Sequence, residues 1–238
     1  MDRLPNKFQK YLSDSKEISQ EFGVSFDQII IDAFMKTYDS IENGFLNIAR
    51  KAKSLGLLKT GTVGSSALSV FIHGNKLYMA NCGESQGFLC SSKEDGGVKC
   101  RNINKKIKKS LIAEEEKSPD DSNNSLEKND KNPRFYLKNI LKPTRAFGDY
   151  CLKYTEFYEG KNGKFNGPYL THQPEIKVLE LNENDRFLIL GSDGVWNNIK
   201  RKSLETALMM NFENMFTIAE NIFNYSLEKI CEKKGKIK

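Results

Sequence analysis

Two strand-like runs, Ala67 to His73 and Lys76 to Cys82, are separated by nothing more than Gly74-Asn75. So short a connection can join only antiparallel neighbours, because a parallel pair needs a long crossover. A third run, Gln86 to Cys90, follows after a brief polar break, and a fourth, Val98 to Arg101, after Gly96-Gly97. This part of the chain therefore reads as an antiparallel meander. Further on, Ile176, Val178, Leu179 and Leu181 lead into a turn at Asn182 to Asp185 and then the apolar run Arg186 to Leu190, the pattern of a second hairpin.

Helical spacing brackets these strands. From Ser25 to Ala49 the apolar residues fall at Phe26, Ile29, Ile30, Ala33, Phe34, Tyr38, Ile41, Phe45, Ile48 and Ala49, one face of an amphipathic helix with Ser25 as its N-cap. A shorter helix before it turns Phe8 and Leu12 inward. Beyond Trp196, Leu204, Leu208 and Phe212, then Met215, Ala219, Ile222, Phe223, Leu227 and Ile230, return to helical spacing. Helices gathered at both ends of a run of strands predict an α+β fold, antiparallel sheet covered by helices. The segment Asn102 to Pro133 is nearly all Lys, Glu, Asp, Asn and Ser and reads as a polar, disordered insertion. Phe135 to Leu141 reads as a helical turn or two ending before Pro143.

The chain has 238 residues, enough for one large domain, and residues 1–238 are expected to form one. The net charge of +6 comes from lysines scattered among acids, which argues against a nucleic-acid stripe. No run approaches the roughly 20 apolar residues of a membrane span, and MDRLPNKFQKYL lacks the apolar centre of a signal peptide, so a cytoplasmic or otherwise intracellular protein is expected. Cys82, Cys90, Cys100, Cys151 and Cys231 are odd in number and contain no C-x-x-C pair, so buried or free thiols are expected and neither a disulfide framework nor a zinc site is signalled.

Two acids stand where strands end. Glu84 lies in Asn81-Cys82-Gly83-Glu84-Ser85 and Asp193 in Gly191-Ser192-Asp193-Gly194. A carboxylate at the mouth of a sheet is fixed by the scaffold yet open to an ion, although both tripeptides are also ordinary turns. Other features point elsewhere. Gly61 to Ser66 lacks the lysine of a phosphate loop and leads into a strand. His73 and His172 stand alone, which suits solvent-facing or structural roles. Arg145 could meet phosphate or, buried by its own motif, pair with a carboxylate. Lys105, Lys106, Lys108 and Lys109 read as a solvated charge run, and Trp196 as a core anchor behind the Asp193 turn.

Three segments taken in order carry a resemblance. Gly64-Ser65-Ser66-Ala67 with Leu77 to Ser85, then Thr144-Arg145-Ala146-Phe147-Gly148-Asp149, then Pro174-Glu175-Ile176 with Phe187 to Trp196, resemble successive motifs of the PPM-type (type 2C) serine/threonine protein phosphatases. Pro168 to Thr171 looks most like the pyruvate dehydrogenase phosphatase-like branch. The resemblance implies two antiparallel sheets packed face to face with helices outside, and Mn²⁺ or Mg²⁺ ions at one edge that activate a water for hydrolysis of phosphoserine and phosphothreonine in a phosphoprotein substrate. By the same resemblance Asp193 corresponds to a metal aspartate. Glu84 stands where the family has an aspartate of a third, weaker metal, and Asn197 where it has another acid of that site.

The family's Asp-Gly-His-Gly-Gly signature and its later Asp-Asn motif are not in this sequence. The expectation is therefore a domain incomplete at both ends, without the N-terminal strands and with no catalytic residue to assign. Only Asp193 is left in the principal metal pair. Glu84 for aspartate adds about 1.5 Å of reach, and Asn197 removes a charge. Two outcomes are open, a phosphatase chain with little activity of its own or a pseudophosphatase that binds partners without chemistry.

Overall fold

The computed structural model describes residues 3–104, 145–158, 165, 167–210 and 215–235. Two helices open the fold, α1 (Arg3–Phe22) and α2 (Phe26–Ser54). Gly23, at φ +66°, adopts the left-handed conformation that stops α1. Ser25 then caps α2 as expected, its Oγ accepting from Gln28 N at 3.3 Å. Strands follow as β1 (Gly64–Ser65), β2 (Ala67–His73), β3 (Lys76–Cys82), β4 (Gln86–Ser92), β5 (Val98–Asn102), β6 (Phe147–Gly148), β7 (Glu175–Glu180) and β8 (Asp185–Gly191). The chain closes with a single turn α3 (Asp193–Trp196) and helices α4 (Arg201–Met210) and α5 (Met215–Gly235). Among the described residues no helix is long and apolar enough to cross a membrane.

The strands sort into two antiparallel sheets, β2-β3-β7 and β5-β4-β8, with β1 and β6 as a small separate pair. This corrects the meander: β3 and β4 lie in different sheets, and residues 83–85 carry the chain between them. It also overturns the second hairpin. β7 pairs with β3 (Asn81↔Glu175) and β8 with β4 (Gln86↔Gly191), so the turn after Leu181 crosses from one sheet to the other. Asn102 is likewise the last residue of β5 and not the first of an insertion; residues 105–133, and the helical turn expected at 135–141, lie outside the described residues.

Side-chain alternation explains the layering. On β3, Leu77 and Met79 face Leu89 and Ile103 of the second sheet, together with Leu68, Val70, Leu179 and Leu188. The intervening Tyr78, Ala80 and Cys82 face Phe8, Ile30, Ala33, Phe34 and Tyr38 of the first two helices. The second sheet turns Cys90, Val98 and Cys100 outward to Leu204 and Leu208 of α4 and to Ile218 and Ile222 of α5. The order is helix, sheet, sheet, helix, because both sheets bury both faces. Cys90 and Cys100 stand directly opposite on β4 and β5 and form a disulfide, which corrects the expectation of thiols throughout. Cys82, Cys151 and Cys231 are free thiols.

Polar contacts tie the outer helices to the sheets. Asp27 near the start of α2 accepts from Lys76 Nζ at 2.7 Å and from Tyr78 Oη at 2.6 Å. These two bonds hold the Asp27 carboxyl below its ordinary value, while burial and then Asp27 itself push the Tyr78 phenol up to about 12. Deeper in, Glu42 is fully buried and accepts from Lys153 Nζ at 2.5 Å and Gly148 N at 3.0 Å. Lys153 also donates to Ala146 O at 2.6 Å, and Tyr150 Oη donates to Glu42 O at 3.0 Å.

Both sets of contacts have measurable consequences for stability. Glu42→Leu, which strands a buried ammonium, is expected to cost about 3–5 kcal/mol, with part recovered in the Glu42→Leu/Lys153→Met double variant. Urea unfolding followed by circular dichroism reads both, and a single-variant loss under about 1 kcal/mol would contradict the assignment. Asp27, lowered in the folded state, contributes stability that is complete above its ordinary pKa of about 3.9 and fades as pH falls through the lower folded value. The gap in urea midpoint between wild type and Asp27→Asn should therefore be widest near neutrality and close in acid; a gap independent of pH would count against it.

Candidate active site

Register brings the two candidate acids to one end of the second sheet. Gln86, the first residue of β4, faces Gly191, the last residue of β8. Glu84 lies two residues before the one and Asp193 two residues after the other, so both turns leave the sheet from the same mouth. Glu84 is half-buried, and its N–H donates to Ser66 Oγ at 3.4 Å. The preceding Gly83, at φ +122°, passes so close that a Cβ there would sit 2.2 Å from Ser66 Oγ, which restricts the position to glycine.

Asp193 is exposed and opens α3. Its carbonyl accepts from Asn197 N at 2.8 Å, so the third candidate, Asn197, sits exposed at the end of the same turn. Trp196 does more than fill space. Its indole Nε1–H donates to Gln86 O at 3.0 Å and Gly191 O at 2.7 Å, spanning the β4–β8 pair, while its ring lies 4.7 Å from that of Phe88.

Carboxylate oxygens at a sheet mouth are the donor type that Mg²⁺ and Mn²⁺ prefer. Glu84 and Asp193 each carry a donor of this type at the two turns, and a hard cation of this kind keeps several waters in its own shell. They do not make a two-ion centre: among the described residues no three His, Cys, Asp or Glu side chains converge on one point.

A second corner surrounds the segment 145–149. Arg145 bridges Thr171 in parallel register and its Nη1 donates to Gln173 O at 2.6 Å. Among the described residues that hydrogen-bond partner is a backbone carbonyl. Arg145 Nε and the nearby strand's Asn81 Oδ1 are buried without a hydrogen-bond partner among the described residues. His172 is structural, its Nε2 2.7 Å from Asp39 and its Nδ1 4.0 Å from Glu42. His73 is exposed and its ring lies 4.6 Å from that of Phe26. Burial pushes the thiol of Cys82, beside this corner, up to about 12, against the pull of Lys153 and Arg145, which favours the neutral thiol.

Asp149 takes a left-handed conformation at φ +48°, and its carboxylate occupies the space where a side chain on Gly64 would be, a Cβ there coming within 2.0 Å of Oδ2. The glycine of one motif and the aspartate of the next are thus two halves of one contact.

The helix–sheet–sheet–helix layering is the architecture shared with solved phosphatase 2C structures. The protein phosphatase 2C family model matches residues 6–235, and the chain belongs to that family. It is 27% identical over 227 residues to probable protein phosphatase 2C 79 of Arabidopsis thaliana, covering 90% of this chain and 57% of that protein. Probable protein phosphatase 2C 67 of the same plant is 26% identical over 246 residues, covering 98% of this chain and 61% of its own length. The chain thus spans about three fifths of these curated relatives. Among solved structures, serine-threonine phosphatase 2C from Toxoplasma gondii matches with a TM-score of 0.64 at 15% identity, over 98% of this chain and 76% of that one, a likeness of fold.

Sequence reasoning missed Glu42, Lys153 and Asn104. Glu42 carried a signal: it falls four residues after Tyr38 and four before Leu46, inside the buried stripe of α2. For the Trp196 staple, Trp196→Phe keeps an aromatic ring, smaller than the indole, and removes the donor. The expected loss is about 1–2 kcal/mol in urea unfolding, with faster amide exchange at Val195 and Asn197. Unchanged exchange in that turn would show that the indole N–H does not hold it.

Proposed function

We propose that this chain is a protein serine/threonine phosphatase module whose cation site is the mouth between Glu84 and Asp193, and that it turns over phosphoserine and phosphothreonine substrates weakly on its own. The observation that supports this most is the β4–β8 register, which sends both acidic turns out of the same end of one sheet. Mn²⁺ or Mg²⁺, when bound, supplies the positive charge that neutralises phosphate oxygens and activates a water for attack at phosphorus. Glu84 and Asp193 are the side chains that would hold it.

This chain's own contribution is positioning. Trp196 fixes the Asp193 turn against Gln86 and Gly191, and Ser66 with Gly83 fixes the backbone of Glu84. Two carboxylates neutralise a single divalent ion, so cation affinity, and with it turnover, is expected to be low. The pseudophosphatase reading has one observation in its favour, the pair Glu84 and Asn197 in place of family aspartates.

A single assay separates these readings. Hydrolysis of p-nitrophenyl phosphate and of a phosphothreonine peptide is measured with increasing Mn²⁺, on wild type, Asp193→Ala and Glu84→Asp. Slow, Mn²⁺-dependent release lost in Asp193→Ala and raised in Glu84→Asp is the expected result. Peptide binding with no release in any variant favours the pseudophosphatase, and release indifferent to Asp193→Ala rejects the site.

A further inference from the structure

Glu84 is held by its N–H bond to Ser66, the residue just before β2, and residues 85–87 are held by an amide network rooted at the end of β5. Asn104 is 3% exposed. Its Oδ1 accepts from Gly87 N at 2.7 Å, and its Nδ2 donates to Ser85 O at 2.7 Å. One side chain thus grips the backbone on both sides of Gln86. Its own N–H donates to Asn102 Oδ1 at 2.9 Å, and Asn102 Nδ2 donates to Gln86 Oε1 at 2.7 Å. Between the two asparagines, Ile103 N donates to Gly87 O at 2.9 Å, and a side chain on Gly87 would come within 3.0 Å of Ile103 Cδ1.

Gln86 passes the constraint on. Its carbonyl is one of the two acceptors of Trp196 Nε1, the other being Gly191 O just before the Asp193 turn. A continuous set of bonds therefore runs from Asn104 through residues 85–87 to Trp196 and Gly191. It joins the backbone beside Glu84 to the backbone beside Asp193.

We infer that Asn104 is a positioning residue for the cation site, setting the separation of Glu84 and Asp193 through Ser85, Gln86 and Trp196. The inference rests on the proposed reading of that mouth. A cation tolerates errors in ligand distance of only a few tenths of an Å, so a turn freed by loss of the amide costs affinity even though Asn104 touches no ion.

The test uses the full chain, ¹⁵N-labelled, with Mn²⁺ alone as the probe. Paramagnetic broadening of the amide signals of Glu84, Ser85, Asp193 and Gly194 is followed as Mn²⁺ is added, which reads weak binding without any need for turnover. In Asn104→Ala the Mn²⁺ concentration for half-broadening is expected to rise about tenfold or more. Tyr38→Phe, which loses a hydrogen bond to Ala80 O in the opposite helix–sheet layer, is expected to leave it within about twofold and serves as the control for a general loss of stability. If Asn104→Ala does not fold, Asn102→Ala removes only the outer bonds and is expected to shift the titration in the same direction.

Wild-type broadening at both turns with no shift in the folded asparagine variant overturns the inference and leaves the site reading standing. Absence of broadening at Glu84 and Asp193 in wild type overturns both. An equal shift in Tyr38→Phe reduces Asn104 to a structural role and also overturns the inference.

Discussion

Glu42 and Lys153 place opposite charges where water does not reach, the carboxylate fully buried and the ammonium 4% exposed. Removing one partner of such a pair costs several kcal/mol, because the other is left buried without its counter-charge. Each is completed by backbone: Glu42 takes the Gly148 N–H, and Lys153 gives a further bond to Ala146 O. The pair therefore welds the middle of α2 to the segment that carries Arg145, Phe147 and Asp149. Phe147 in turn packs on Tyr38, and Asp149 fills the space left by Gly64. Through these contacts the first sheet, its covering helices and the 145–153 segment are held as one layer.

The second sheet is organised differently, by apolar burial and neutral hydrogen bonds. Its outer face meets α4 and α5 through Cys90, Cys100, Leu204 and Leu208, with the Cys90–Cys100 disulfide locking β4 to β5. Its inner face meets the first sheet through Leu89 and Ile103 against Leu77 and Met79. The acidic mouth sits at one end of this sheet, where strand pairing stops and the two turns emerge. Beyond the last paired residues, Gln86 and Gly191, the chain leaves the sheet in the two turns that carry Glu84 and Asp193.

Membership of the protein phosphatase 2C family and the layered fold agree with the resemblance carried by the motifs around Gly64, Arg145 and Asp193. The structure adds how those motifs meet. Gly64 and Asp149 are in contact, Ser66 bonds the backbone of Glu84, and Gln86 and Gly191 share the indole of Trp196. The motifs are distant in sequence and adjacent in space, so a change in one is felt in the others.

The sequence by itself determined the helical stripe of α2, the bounds of β2 and β3, the Ser25 cap and the family, because these rest on local periodicity, short turns and motifs of adjacent residues. Tertiary structure decided which strand pairs with which. Asn182 to Asp185 looks like a hairpin turn, yet the partners of β7 and β8 are β3 and β4, chosen by burial on both faces and not by proximity along the chain. The disulfide was invisible for the same reason: Cys90 and Cys100 meet only once β4 and β5 are in register. Glu42 with Lys153, and Asn104 with the turn beside Glu84, are of this kind too. A buried charge or amide is read from its partner, and the partner is known only when the chain has folded.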